Sequence, residues 1–147
     1  MAEPAPLRLL AEEADDLKVI SAAVQDSVAK AGALKYDARR RRFSIELNRF
    51  RWETAETDRQ RVRAILGFDG GLGVKARGIT RSDPELVISL LQAEFAPDDE
   101  PPGGKVTLLF AGDGEIVLNV EALDVTLLDS DYVWPTKTEP SHERRRR

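Results

Sequence analysis

The sequence predicts an α+β domain: one N-terminal amphipathic helix and a strongly bent antiparallel sheet or partial barrel of about six to eight strands. Three observations carry that class. Apolar residues recur at helical spacing only within residues 12–32. Nearly every later segment alternates with period two. Glycine, proline and aspartate breaks separate those segments at hairpin spacing.

"LRLLA" (7–11) reads as an edge strand or an extended lead-in. In "EEADDLKVISAAVQDSVAKAG", Leu17, Ile20, Val24 and Val28 form one stripe, which predicts a helix over 14–31. Asp15 and Asp16 sit in its first turn, where they complement the helix dipole, and Gly32 supplies a left-handed stop. "RRFSIELN" turns Phe43, Ile45 and Leu47 to one face and Ser44 and Glu46 to the other. Phe50 and Trp52 then fall on the opposite parity, which predicts a bulge or bend near Asn48 and at least partial burial of Trp52.

"RVRAILGF" alternates Val62, Ala64, Leu66 and Phe68 against Arg61 and Arg63, and "DGGLG" followed by "VKARGI" reads as its hairpin return. "ELVISLLQAEFA" (85–96) is apolar on both parities, fitting a central strand or a second helix. "PDDEPPGGK" is a loop. "VTLLFAGDGEIVLNVEALDVTLL" is a hairpin about Asp113-Gly114, and its parity shift after Val120 predicts another bulge.

A chain of 147 residues is long enough for one hydrophobic core. Residues 7–134 read as a single globular domain, with flexible ends at 1–6 and 135–147, the latter Arg-rich. The absence of cysteine excludes disulfides and thiol-ligated metal or redox centres. No basic-then-apolar leader opens the sequence, and no apolar run approaches the roughly 20 residues of a membrane helix. Both point to the cytoplasm and away from a membrane.

Catalytic signatures fail in turn, and neither catalytic residues nor a cofactor are expected. His142 is the only histidine, so His-dependent triads and multi-His metal sites are unavailable. "GFDGGLGVKARG" lacks the Lys-Ser/Thr ending of a phosphate loop and leads into a strand. Glu94, Asp98, Asp99 and Glu100 lack the spacing of a calcium loop, and the neighbouring prolines mark a solvated one, so no metal is expected.

The charge layout is the distinctive feature. Residues 35–81 carry thirteen basic and six acidic side chains, whereas residues 82–140 carry two and thirteen. Such segregation orients a charged partner, or it cancels where the segments interleave in space. The alternation turns Arg61 and Arg63 away from the core, with Arg49 and Arg51 on a neighbouring strand and Arg39, Arg40, Arg41 and Arg42 in the turn beside it. Lys75 and Arg77 join the same outer face. The expectation is a contiguous exposed guanidinium patch centred on Arg49, Arg61 and Arg63, suited to carboxylate or phosphate contacts.

In order and spacing, "LRLLAEEADDLKVISAAVQDSV", "RRRRFSIELNRFRWE", "RVRAILGFDG…VKARGI" and the late "WPT" resemble the bacterial, mostly alphaproteobacterial, domain of unknown function 2948. The resemblance runs from about Leu7 to Pro135 and is most specific at "LNRFRWE". It implies a single-domain bacterial cytosolic protein and transfers neither an activity nor a functional residue. The leading expectation is therefore a non-enzymatic binding or adaptor domain whose basic face docks an acidic protein or a second copy of itself. RNA or ribosome association through the same arginines is the alternative, and a small-molecule or enzyme site in the barrel mouth ranks third.

Overall fold

Residues 6–79, 82–137 and 140 are described by the computed structural model, which places ten strands in one antiparallel sheet with a single α-helix. The elements are β1 (Arg8–Ala11), α1 (Ala14–Ala23), β2 (Ser27–Lys30), β3 (Leu34–Asp37), β4 (Arg42–Phe50) and β5 (Gln60–Asp69). They continue as β6 (Gly71–Arg77), β7 (Val87–Pro97), β8 (Gly104–Phe110), β9 (Gly114–Val120) and β10 (Val125–Pro135). The sheet order is β1-β10-β5-β4-β2-β7-β8-β9-β6, and β3 lies on β4 off that path. Of the expected flexible ends, residues 1–5, 138–139 and 141–147 lie outside the described residues, and β10 itself runs through Pro135.

That order forces the sheet to fold back on itself. Strands β5 and β6 are third and ninth in it, yet only Gly70 separates them along the chain. Gly70 has φ +76, a left-handed conformation that favours glycine. Asp69 N–H donates to Asp124 O and Glu121 N–H to Gly70 O, which locks the β5–β6 and β9–β10 links into one corner. One buried cluster accordingly draws on both halves of the sheet, including Phe43, Leu66 and Leu127 from one and Leu90, Leu108 and Leu118 from the other. Helix α1 adds Leu17 and Ile20, and Val24 at its C-terminal cap completes the stripe. Among the described residues the sheet is not closed, because β6 pairs only with β9 and β3 only with β4.

Several sequence expectations are corrected. The strand count is ten rather than six to eight, because two four-residue strands, β2 and β3, hide inside or beside the expected helix. The helix stops at Ala23 rather than 31, and Val28 belongs to β2, between β7 and β4. The reversal comes at Asp26, with φ +64, and not at Gly32. Aspartate tolerates that conformation better than most side chains, and pairing with β7 then satisfies the backbone of residues 27–30.

Strands β5 and β6 are not a hairpin: β5 lies between β4 and β10, and β6 pairs with β9. No bulge occurs at Asn48, since the β4–β5 register runs unbroken from Arg42↔Asp69 to Phe50↔Arg61. After Val120 the chain leaves the strand and crosses to β10 rather than bulging. The "LVISLLQAEFA" stretch is a strand, β7, between β2 and β8. A register shift between Leu90 and Gln92 explains its apolarity on both parities. The β8–β9 hairpin forms as read, with Phe110 opposite Gly114.

Candidate binding surfaces

The inner face of β4 runs Phe43, Ile45, Leu47 and then Arg49, so the core stripe ends in a buried guanidinium. Asp129 occupies the matching inner position of β10, and its side chain is also buried. Arg49 Nε and Nη2 donate to Asp129 Oδ1 and Oδ2 at 2.8 and 2.6 Å. Its other edge grips Glu53, with Nη1 to Oε1 at 3.0 Å and Nη2 to Oε2 at 2.7 Å, and Nη1 also reaches Phe50 O at 3.3 Å. Asp129 Oδ2 further accepts from Leu7 N–H at 2.9 Å.

Burial pulls the Arg49 pKa down, but the hydrogen bonds it donates to Asp129 and Glu53 and their charges outweigh it and hold the guanidinium above its ordinary value. Burial likewise pushes Glu53 up, yet the bonds from Arg49 and from its own backbone N–H, with the charges of Arg49 and Arg51, hold its carboxyl below the usual range. Arg51 is buried too, with Nη1 donating to Gln60 Oε1 at 2.6 Å. Arg49 and Arg51 therefore cannot belong to an exposed patch. The sequence reading puts Arg49 outside because Phe50 and Trp52 suggest a switch of faces at Asn48, whereas the register continues and Arg49 stays on the face of Leu47.

The other expected patch residues are dispersed. In the β3–β4 turn, Asp37 Oδ1 accepts from the backbone N–H groups of Arg39 and Arg40, while the Arg40 side chain stands 3.8 Å from the same carboxylate. Arg41 pairs with Glu121 at 3.0 Å, and Arg42 with Asp69 at 2.7 Å. Arg61 is half-buried and donates to Asn48 O. Arg63 approaches Glu46 at 3.4 Å, with its Cζ 5.1 Å from the centroid of the Tyr132 ring. Lys75 and Arg77 lie on β6, far along the sheet order, and Arg77 pairs with Glu115. The ten residues do not form one contiguous patch. Three of these pairs, Arg41–Glu121, Arg49–Asp129 and Arg77–Glu115, join the basic segment of the chain to the acidic one, so much of the segregation closes in space.

What the structure does expose is an apolar row on the outer face of β1, β10 and β5. Leu128 and Ile65 are register partners, 40% and 44% exposed. Arg8 lies opposite Leu128, and Leu10, 56% exposed, follows on the same face of β1. Tyr132, 61% exposed, sits in the β10 irregularity edge-on to Trp134, with ring centroids 5.1 Å apart. Arg8 lies on the β1 side of the row, Arg61 and Arg63 follow Ile65 on the same parity of β5, and Glu46 on β4 stands opposite Ile65. Sequence reasoning missed these positions, although Ile65 shares the parity of Arg61 and Arg63.

Two depressions mark the surface, one beside that face and one apart from it. A groove of about 600 Å³ lies beside that face, lined by Lys30, Lys35, Glu46, Arg63 and Glu85, among which Lys30–Glu85 and Arg63–Glu46 are ion pairs. A second, of about 590 Å³, opens in the seam between β3 and β6. Among the described residues no group of three His, Cys, Asp or Glu side chains could hold a metal ion, and no helix is long and apolar enough to cross a membrane.

These features define a one-helix, antiparallel-sheet domain whose notable chemistry lies on its outer face and its open seam. The family model described as "Protein of unknown function (DUF2948)" matches residues 7–142, and the chain belongs to that family. No curated protein and no solved structure matches the chain.

Proposed function

We propose that the protein is a non-enzymatic binding or adaptor domain of the bacterial cytoplasm that docks an acidic protein partner through the outer face of β1, β10 and β5. The observation that carries this reading is the exposed Leu128–Ile65 pair, flanked by Leu10 and Tyr132, with Arg8 on its β1 side and Arg61 and Arg63 following Ile65 on the same parity of β5. An apolar centre with a guanidinium rim is the anatomy of a protein interface, in which aromatic and arginine side chains carry most of the binding energy. Acidic groups on the partner complement the rim. The cysteine-free composition and the family resemblance support the cytoplasmic setting.

RNA association is the second reading, favoured by the Tyr132–Trp134 pair beside Arg63, where a base could stack next to a cation. The test is capture from native lysate by wild type and by a Leu128→Glu/Ile65→Glu variant, with and without nuclease. The captured component is then identified and rebound in purified form. An acidic protein that binds wild type alone supports the proposal. Nuclease-sensitive capture favours RNA, and capture of the same component by both chains overturns the docking face.

A further inference from the structure

The seam that keeps the sheet open has the chemistry of a missing strand. At one end it is zipped: Tyr36 Oη donates to Gly71 O at 2.8 Å, and Gly71 N–H donates to Arg41 O at 2.8 Å. Toward Ile79 the two edges diverge into the cavity of about 590 Å³. Its walls include Leu34, Phe43, Val74, Ala76, Ile79 and Ile116, and no lining side chain is charged. Among the described residues β6 pairs only with β9 and β3 only with β4, so each presents a row of backbone N–H and C=O groups to the cleft. Lys35 on β3 and Lys75 on β6 are exposed and alternate with the cleft-lining residues, which makes both lips cationic.

We infer that this seam takes an extended peptide segment that alternates apolar with acidic residues and adds to β6 as an extra strand. Its apolar side chains enter the cleft, its acidic ones meet Lys35 and Lys75, and its backbone pairs with the β6 edge, the mode known as strand addition. A simple acyl chain would fill the same apolar walls but leave the edge groups without partners. The site is separate from the outer face of β1, β10 and β5, and it stands or falls independently of that face.

The probe is a fluorescein-labelled peptide of alternating valine and glutamate, as long as β6, titrated with the full chain and followed by anisotropy. Two N-methylated versions carry the methyl groups on alternate residues, in opposite phase. Saturable binding of the parent peptide, with a loss of about tenfold or more in at least one phase, is the expected result. Ala76→Trp, which fills the cleft from its exposed rim, should also abolish binding, and Lys35→Glu/Lys75→Glu should weaken it. The inference is overturned by absence of saturable binding, by equal binding of the parent and both methylated peptides, or by full binding to an Ala76→Trp chain with an unchanged melting curve. Binding of a dansylated fatty acid without binding of the peptide overturns it as well.

Discussion

Arg49 and Asp129 meet edge to edge across β5, from positions opposite Val62 and Ala64, through two hydrogen bonds of 2.8 and 2.6 Å between fully buried groups. The pair ties β4 to β10. Through Glu53 it also holds the short 3₁₀ turn Trp52–Thr54, and through Leu7 the entry to β1. A buried ion pair of this kind can be matched in stability by apolar residues, but losing one partner strands a charge in the core.

Asp129→Ala should therefore cost about 3–5 kcal/mol, read from urea midpoints. Arg49→Lys keeps the charge but cannot present two edges to two carboxylates. It should fall well short of wild-type stability. A lysine variant as stable as wild type would show that charge, and not the planar fork, is what the site needs.

Glu53 gives the clamp a pH signature. Its folded pKa is depressed, so its contribution is fully present above its unfolded value of about 4.3 and disappears as pH falls through the lower folded value. Glu53→Gln should accordingly be less stable than wild type at neutral pH. The gap should hold down to about pH 5 and narrow below about pH 4. Denaturation curves across that range provide the measurement, and a constant gap at every pH would contradict the assignment.

The parity of β5, of β8–β9 and of β4 as far as Leu47 was legible because each strand has one face in the core, so the apolar positions reveal its direction. Arg49 was not legible, since Phe50 and Trp52 suggested a face switch at Asn48 and nothing local shows that a charge on the core face will find two carboxylates. Asp129 lies eighty positions away and Glu53 on a turn with no periodicity. The β5–β6 hairpin failed for a related reason: glycines announce a reversal without saying which strand the chain rejoins. The outer apolar row needed the register of β10 on β5, which only the folded sheet supplies.

Val24 and Val28 share a helical stripe in sequence but not in space. Val24 is fully buried at the end of α1, whereas Val28 is half-buried in β2. Val24→Asp should lose several kcal/mol through an unpaired buried carboxylate, and Val28→Asp distinctly less. Equal losses would restore the longer helix.

Trp52 is half-buried, packs edge-on against Phe50 with centroids 4.7 Å apart, and donates Nε1–H to Gln25 O at 3.2 Å. Trp52→Phe keeps an aromatic ring and removes the donor. It should cost about 0.5–1.5 kcal/mol, and Trp52→Ala more, up to the roughly 3–5 kcal/mol of a fully buried ring. Thermal melts of the two variants separate the bond from the packing.

The outer face yields a last prediction, which depends on Arg61 and Arg63 being unlike. Arg63 is exposed, and its contacts with Glu46 and the Tyr132 ring are solvent-screened ones. Arg61 is half-buried and donates to Asn48 O, so replacing it with glutamate removes a structural bond. Arg63→Glu should leave stability within about 0.5 kcal/mol of wild type, while Arg61→Glu should lose about 1–3 kcal/mol. In binding the order reverses against the apolar row. Arg63→Glu should slow association with an acidic partner and flatten its salt dependence, because rim charges act chiefly on encounter. Leu128→Ser/Ile65→Ser should instead accelerate dissociation, since the desolvated centre holds the complex once formed. Surface-plasmon traces of the purified pair at low and high salt separate the two effects. If Arg63→Glu and the serine pair change the same rate constant, the division into apolar centre and cationic rim is wrong.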